Sequence, residues 1–367
     1  DFFNYPGIYL KEWYYDAMFL QIAKFLEDAR LRYDQIPTFL QYYSMYLVKC
    51  RFDAGFNNRN KHIVPVKESY DYIMRYHEIL KDIDVDVILN IHNTAIYNAN
   101  PNLKAIFVKL KYNNVGLDLD LYYDRENVIT GYDKQVITSL QAQKLNIKFI
   151  DYVHGNLEFD GTLSYLFGPE RFRYYVSFNG KQYDFTYNEM YSHTKFFGMP
   201  VYKGVSFHVS VPIEKVTESQ KLYFMAEQQN KCWKLGLTFQ SHTSRLTNYF
   251  ANAYWKFGNY VAMMEKGNIT IAPADEKELK KREKALLAEM KASSIPGAKE
   301  LVRRRRLYHL AKPFFKNKKI WMFYDKIYKG GDSSEYLYKY AQTKKDGIIK
   351  YYLLDENCVD YKRLKKE

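Results

Sequence analysis

The sequence predicts an α+β protein in four parts, and three patterns carry that expectation. Residues 1–95 repeat apolar side chains at helical spacing, and residues 96–273 alternate them at strand spacing between short turns. Residues 319–367 hold a strand, a glycine loop, a helix and a second strand, after a charged linker at 274–318. The expected architecture is an N-terminal helical bundle, a central antiparallel β-sandwich, linker helices and the first βαβ unit of a Rossmann-like domain.

In the first part, Lys11–Asp28 sets Trp13, Ala17, Leu20 and Lys24 on one side, with Tyr14, Met18, Ile22 and Phe25 beside them. So broad a stripe implies a helix buried on much of its circumference. Pro37 suits a first turn, and Thr38–Phe52 follows with Leu40, Tyr43, Leu47 and Cys50 expected inward. A third helix, Lys67–Lys81, is expected to turn Tyr70, Ile73, Met74, His77 and Leu80 inward. The loop Asn57–His62 carries Arg59, Lys61 and amide side chains that can donate to phosphate or sugar. A solvated helix connection is its simpler account.

The strand region begins with alternation in Ala105–Leu110 and Val115–Tyr123. Arg171–Phe178 puts Phe172, Tyr174, Val176 and Phe178 on one face, and Asn179-Gly180 signals a type I′ hairpin returning along Gln182–Tyr187. Val205–Val211 is apolar at every second residue. Leu222–Ala226 and Trp233–Phe239 form a second expected hairpin around Gln229-Asn230, and Tyr249–Phe257 and Asn268–Ile271 complete the set. Turns about every ten residues fit a sandwich, as one unit or as two small ones.

Residues that invite a catalytic reading are few. Asp118 and Asp120, with Asp124 behind them, have the spacing of a DxD metal motif, since oxygen ligands two apart can share one cation. Leu117, Leu119 and Leu121 alternate with them, which is what a half-exposed strand with its acids in water looks like. Asp84 and Asp86 read as helix-end acids. His154, His193, His208 and His242 have no ligand spacing, and His208 lies opposite the apolar face of its strand. No GxSxG, HExxH or P-loop is present. Neither a catalytic residue nor a metal ligand is assigned. Tyr165, Tyr174, Tyr175, Tyr187, Tyr191 and Trp255 exceed what one core absorbs, and Tyr174, Tyr187 and Trp255 are candidate glycan-stacking rings. Burial against neighbouring domains is the competing account.

Net charge is +13, from 55 Lys and Arg against 42 Asp and Glu, which favours a polyanionic partner. Cys50, Cys232 and Cys358 are far apart and lack zinc spacing, as befits free thiols in a reducing compartment. No run of about eighteen apolar residues exists to cross a bilayer.

The charge is concentrated. Asp275–Ala292 reads as a linker helix with Glu276/Lys280 and Glu278/Arg282 pairs, ended by Ser293-Ser294-Ile295-Pro296-Gly297. Beyond it come Lys299, Arg303, Arg304, Arg305, Arg306, Lys312, Lys316, Lys318 and Lys319 against Glu300 alone, which is +8 of the +13. Leu307, Leu310, Ala311 and Phe314 share one helical face. A basic helix with an apolar face is the signature of an anionic membrane surface as partner. Gripping a polyphosphate product or bridging acidic patches between domains are the other readings. Nucleic acid is not expected, because no RNP, KH or zinc motif is present.

The last part is the most directional. Lys319–Tyr324 has the composition of a buried strand, and Lys329-Gly330-Gly331-Asp332 is a glycine loop with Asp332 or Ser333 as N-cap. Glu335 falls in the first turn of the following helix, and Ile348–Leu354 is the second strand. Amides at such a helix start can bind an anion, although tight-turn geometry explains the glycines equally. The basic residues, the aromatic strand, Tyr328-Lys329-Gly330-Gly331-Asp332 and the Tyr-rich helix resemble the opening of bacterial CDP-glycerol glycerophosphotransferases. These are teichoic acid polymerases with a two-Rossmann (GT-B) fold. Leu10–Lys61 is similar to the helical stretch that follows the catalytic domain in some bacterial family 2 glycosyltransferases.

Together these resemblances imply the central part of a bifunctional cell-wall polymer transferase, cut at both ends and inactive in isolation. The whole would transfer glycerol phosphate from CDP-glycerol and a sugar from a nucleotide sugar. They imply a cytoplasmic place at the inner face of the membrane, flanking transferase domains as partners and a lipid-linked or polymeric phosphate-sugar acceptor. In the family the acceptor cleft lies near the positions of Lys329, Gly330, Gly331, Asp332 and Ser333, and the catalytic histidines lie beyond residue 367. No cofactor is implied for this segment, and a homo-oligomer is left open. The alternative is a stand-alone carbohydrate- or polyanion-binding β-sandwich without catalysis.

Overall fold

The computed structural model describes residues 9–56, 63–89, 100–114, 119–124, 127–188, 192–213, 216–240, 243–265, 267–315 and 317–365. The Asn57–His62 loop, Asp118, Tyr191, His242 and Lys316 lie outside these residues, as do the side chains of Asp124, Tyr165 and His193. The fold is α+β, and the chain divides into two compact units, Asp1–Leu286 and Leu287–Glu367.

The first unit opens with helices α1 (Lys11–Tyr14), α2 (Ala23–Tyr33) and α3 (Thr38–Phe56), with seven residues of π-helix, Asp16–Ile22, joining the first two. The single helix expected over Lys11–Asp28 is therefore composite. Its buried stripe is Tyr14, Met18, Ile22 and Leu26, because the wider i→i+5 turns keep residues four apart in line. Leu20 points out, 63% exposed. In α3 the inward row is Gln41, Met45, Val48 and Phe52, so Tyr43 is exposed rather than inward as expected. The expected third helix is broken at Arg75-Tyr76 into α4 (Ser69–Met74) and α5 (His77–Leu80), which bury Tyr72, Ile73, Ile79 and Leu80 and leave Tyr70 outside.

After α6 (Val85–Leu89) comes α7 (Pro101–Lys111), a helix where the alternation in Ala105–Leu110 predicted a strand. The side chain of Asn100 caps it by accepting from the Leu103 N–H at 2.9 Å, and Pro101 fills the first turn, where its missing N–H costs nothing. Leu103, Ile106, Phe107 and Leu110 then fall on one buried face. Lys111 at its end donates from Nζ to the carbonyls of Leu80, Lys81 and Ile83 at 3.3, 2.9 and 2.7 Å. These carbonyls lie at and just beyond the end of α5, where ladder partners run out; Leu80 O also takes the Ile83 N–H at 3.2 Å, and the ammonium bridges all three. Lys111→Met is expected to lower stability by about 1–2 kcal/mol in urea denaturation.

A three-stranded meander follows: β1 (Asp120–Asp124), β2 (Asn127–Tyr132) and β3 (Gln135–Ser139). The remaining strands are β4 (Lys144–Val153), β5 (Asn156–Ser164), β6 (Arg173–Phe178), β7 (Lys181–Asp184), β8 (Thr186–Tyr187), β9 (Ser192–Phe196) and β10 (Met199–Pro212). Then come β11 (Gln220–Gln228), β12 (Lys231–Lys234), β13 (Gly236–Phe239), β14 (Tyr254–Phe257), β15 (Tyr260–Glu265) and β16 (Asn268–Pro273). One sheet runs β13-β4-β5-β10-β8 with β9 on β10, and the other runs β14-β15-β16-β11-β6-β7 with β12 on β11. They enclose one hydrophobic cluster. Phe159 of the first sheet meets Phe224 of the second at 5.4 Å between ring centroids, and Phe207 stacks on Phe185 at 4.3 Å.

Both expected hairpins form, with positive φ at Asn179 and Gly180 and at Gln229 and Asn230. Neither return strand stays in its sheet. The chain leaves the seven-stranded sheet at Phe185, whose N–H bonds Tyr174 O, and again at Leu235, whose N–H bonds Phe224 O. After each crossing it joins the other sheet, as β8 on β10 and as β13 parallel to β4. The helical region and the strands share packing too, because Phe196 stacks on Phe52 at 4.3 Å inside the helical core.

Helix α8 (Glu276–Ala292) starts on this unit, where Asp275 Oδ1 accepts the N–H groups of Lys277 and Glu278. Two members of the i,i+4 pairs expected along it also reach the sheet. Glu276 pairs with Lys256, and Arg282 reaches Glu265 at 3.8 Å and the Met264 carbonyl at 3.0 Å, fastening the helix to the sheet.

The second unit holds α9 (Ala298–Phe315), β17 (Ile320–Phe323), α10 (Ser333–Gln342), β18 (Ile349–Tyr352) and α11 (Val359–Leu364). The strands β17 and β18 pair in parallel from Ile320↔Ile349 to Phe323↔Tyr352, as a βαβ unit requires. Tyr338 of α10 packs on both, 5.6 Å from Phe323 and 5.5 Å from Tyr352.

Candidate functional site

Two places in the second unit concentrate the residues singled out above, namely the glycine loop and α9. In the loop, Lys329 is exposed, Gly330 is buried and Gly331 has φ +87°, a conformation that favours glycine. Both glycine N–H groups of this loop, and two at the start of the helix, are already engaged. Gly330 N–H donates to Asp360 Oδ2 at 2.9 Å and Gly331 N–H to Glu335 Oε2 at 2.7 Å. Ser333 N–H donates to Asp332 Oδ1 at 2.8 Å, which makes Asp332 the N-cap, and Ser334 N–H to Asp325 Oδ1 at 3.0 Å. Carboxylates of the chain occupy the positions that a bound phosphate would take, so an external anion here must displace them and meet their charge.

Glu335 organises the loop. Its side chain is 5% accessible and receives the Arg363 guanidinium through two parallel bonds of 2.7 Å, with Lys339 at 3.0 Å. The Arg363 bonds, followed by those from Lys339 and Gly331, pull its carboxyl down to about 2. A Cβ on Gly330 would lie 2.9 Å from Glu335 Oε2, so a larger residue there would have to push aside the carboxylate that Arg363 holds. Gly331→Ala is expected to cost about 1 kcal/mol in the C-terminal unit by forcing an L side chain into the left-handed region, measurable by urea denaturation. Sequence reasoning found Glu335 and Asp332 but missed Asp360 and Arg363. Their one signal was an i,i+3 acid–base pair in the last helix, 25 and 28 residues beyond Glu335.

Helix α9 presents its charge and its apolar residues to solvent together. Arg303, Arg304, Arg306 and Lys312 are exposed, and Arg305 is half-buried. Glu300 lies 3.6 Å from Arg303 and 3.0 Å from Arg304, pairs exposed enough to contribute little. Leu310 is 73% and Phe314 76% exposed on the face expected to be apolar, and Leu307 and Tyr308 are exposed beside them. Val302 alone of that region's large apolar side chains is buried. Pro313 lies inside the helix, within its last turn.

The proposed stacking residues separate. Tyr174 is a core residue whose hydroxyl donates to the Phe167 carbonyl, so its ring offers no face to a glycan. Tyr187 is partly exposed, and Trp255 is half-buried, its ring 4.6 Å from Phe257 and 5.8 Å from the Arg245 guanidinium. Asp120 accepts from the Tyr122 hydroxyl at 3.0 Å. Among the described residues no group of three His, Cys, Asp or Glu is placed to hold a metal ion, and no helix is long and apolar enough to cross a membrane. His154 sits in the tight turn between β4 and β5.

The sequence reading left His208 as a lone surface residue, whereas it stands between two carboxylates. Nδ1 is 3.0 Å from Asp160 Oδ1 and Nε2 is 3.2 Å from Glu158 Oε2. Ser210 donates to Glu158 Oε1 at 2.8 Å rather than to the imidazole, so the order is not that of a nucleophile and its base. The antiparallel register His208↔Asp160 and Ser210↔Glu158 assembles this cluster from strands some fifty residues apart.

The fold and these sites define an α+β chain with a basic, apolar-faced helix leading into a parallel βαβ unit. No protein-family model matches the chain. Over 377 aligned residues it is 25% identical to the minor teichoic acid biosynthesis protein GgaB of Bacillus subtilis (strain 168). The match covers 97% of this chain and 39% of that protein, so the chain spans well under half the length of the relative.

Proposed function

We propose that this chain is a segment of a teichoic-acid-type cell-wall polymer transferase. The similarity to a teichoic acid biosynthesis protein along 97% of the chain carries the reading. The parallel βαβ unit behind a basic helix agrees with it, in the place where the sequence resembles glycerophosphotransferases. The finer reading is transfer of glycerol phosphate from CDP-glycerol, beside sugar transfer from a nucleotide sugar, by the whole protein. Within it this segment connects the catalytic parts, holds them to the anionic inner face of the membrane through α9 and brings a lipid-linked or polymeric acceptor near them. With the amides of Gly330 and Gly331 engaged, the reading assigns the acceptor's phosphate contacts to Lys329 and the α9 cations rather than to the loop backbone.

The test is genetic and chemical. Deleting the gene should lower the phosphate content of purified cell walls, and restoring the full-length protein should return it. Unchanged wall phosphate would set this function aside.

A further inference from the structure

A groove of about 330 Å³ lies between the end of α8 and the first three turns of α9. Its size falls at the lower end of small-ligand sites, ~300–1,000 Å³. Lys291, Lys299, Arg303 and Arg306 line it together with Leu307 and Leu310, over a floor that includes Val302. No carboxylate is among its lining residues. Among the described residues, Lys291, Lys299 and Arg306 have no ion-pair partner, and Arg303 has only the exposed Glu300.

The groove has polarity along its length. Lys299, Arg303 and Arg306 recur at i, i+4 and i+7 on one face of α9, and Leu307 and Leu310 continue that face, with Phe314 one turn beyond. From Lys299 to Leu310 is about 16 Å at 1.5 Å per residue. Four cations surround one end and apolar side chains extend from the other. An inorganic or polymer phosphate would use the first end and leave the second in water. A bare hydrocarbon would leave four cations unpaired. An amphiphile with a phosphate at one end satisfies both.

We propose that this groove seats one molecule of anionic membrane phospholipid, its phosphodiester among Lys291, Lys299, Arg303 and Arg306 and its first acyl carbons along Leu307 and Leu310. This rests on the membrane-docking reading of α9 and sharpens it from adsorption on a charged surface to occupation by a defined lipid.

The test separates the two ideas. The chain is titrated with dihexanoyl phosphatidylglycerol kept monomeric below its micelle concentration, and separately with phosphatidylcholine vesicles containing one part in three of phosphatidylglycerol. The proposal expects saturable binding of the monomer and none of glycerol phosphate or of dihexanoyl phosphatidylcholine. The pair Leu307→Ser and Leu310→Ser, both at exposed positions, should weaken monomer binding at least about tenfold. The pair Arg303→Gln and Arg306→Gln should weaken monomer and vesicle binding alike. If the monomer fails to bind, or binds equally in the leucine variants, while vesicle binding persists, the lipid seat is wrong and surface docking stands. If glycerol phosphate alone binds the same residues, the seat is a phosphate site and the proposal fails. If neither monomer nor vesicles bind, both ideas fall.

Discussion

Replacing Arg303, Arg304 and Arg306 with glutamine is expected to lower the affinity of the chain for anionic vesicles by roughly a hundredfold. Each basic residue near a charged bilayer contributes about 1 kcal/mol, and three of them about 3 kcal/mol. All three are exposed, so the loss should come without unfolding, and Arg305 is left in place because it is half-buried. The attraction is screened over about 10 Å at 0.1 M salt, so raising ionic strength should reproduce the effect in the unaltered protein. Vesicles of phosphatidylcholine alone should not bind. Equal sedimentation with neutral and anionic vesicles would show that α9 does not dock by charge.

Glu335→Ala is expected to destabilise the C-terminal unit by about 1.5–3 kcal/mol, the scale of a lost charged hydrogen bond. The change removes one partner each of Arg363 and Lys339 and leaves the Gly331 N–H without its acceptor. Hydrogen exchange should report it as faster exchange at Gly331 and through α10, with the β-sheet region unaffected. The same carboxylate makes this unit sensitive to acid. Folding lowers its pKa from the ordinary 4.5 to about 2, so the stability it contributes is complete above 4.5 and is lost as pH falls toward 2. In the Ala variant that part of the acid transition should be missing. An unchanged acid profile would mean that Glu335 does not hold the loop.

Where one local pattern decided the structure, the sequence was enough. Asn179-Gly180 made its hairpin, Val205, Phe207, Val209 and Val211 lined one buried face, and Asp332 capped its helix. Misreadings arose where two patterns overlapped or where partners were distant. In residues 101–111 the apolar side chains are dense enough to fit either period, and the Asn100-Pro101 capping pair was the deciding signal. The switches at Phe185 and Leu235 left no trace in the alternation. Both sheets face one core, so Trp233, Leu235 and Leu237 stay inward while the strand changes sheets. For the sites, the charge and apolar face of α9 were legible because a single helix carries both. The filling of the Gly330 amide was not, because Asp360 approaches from a helix thirty residues away. The His208 cluster was hidden for the same reason, since strand register created it.

The central claim is that this chain works within a transferase that builds a phosphate-containing wall polymer at the membrane. It is tested most directly by incorporation of labelled glycerol phosphate from CDP-glycerol, and of labelled sugar from nucleotide sugars, into polymer. The preparation is inverted membrane vesicles carrying the full-length protein. The account predicts incorporation that depends on the protein and falls when Arg303, Arg304 and Arg306 are changed to glutamine. Polymer labelling from neither donor, with the protein present and folded, would contradict it.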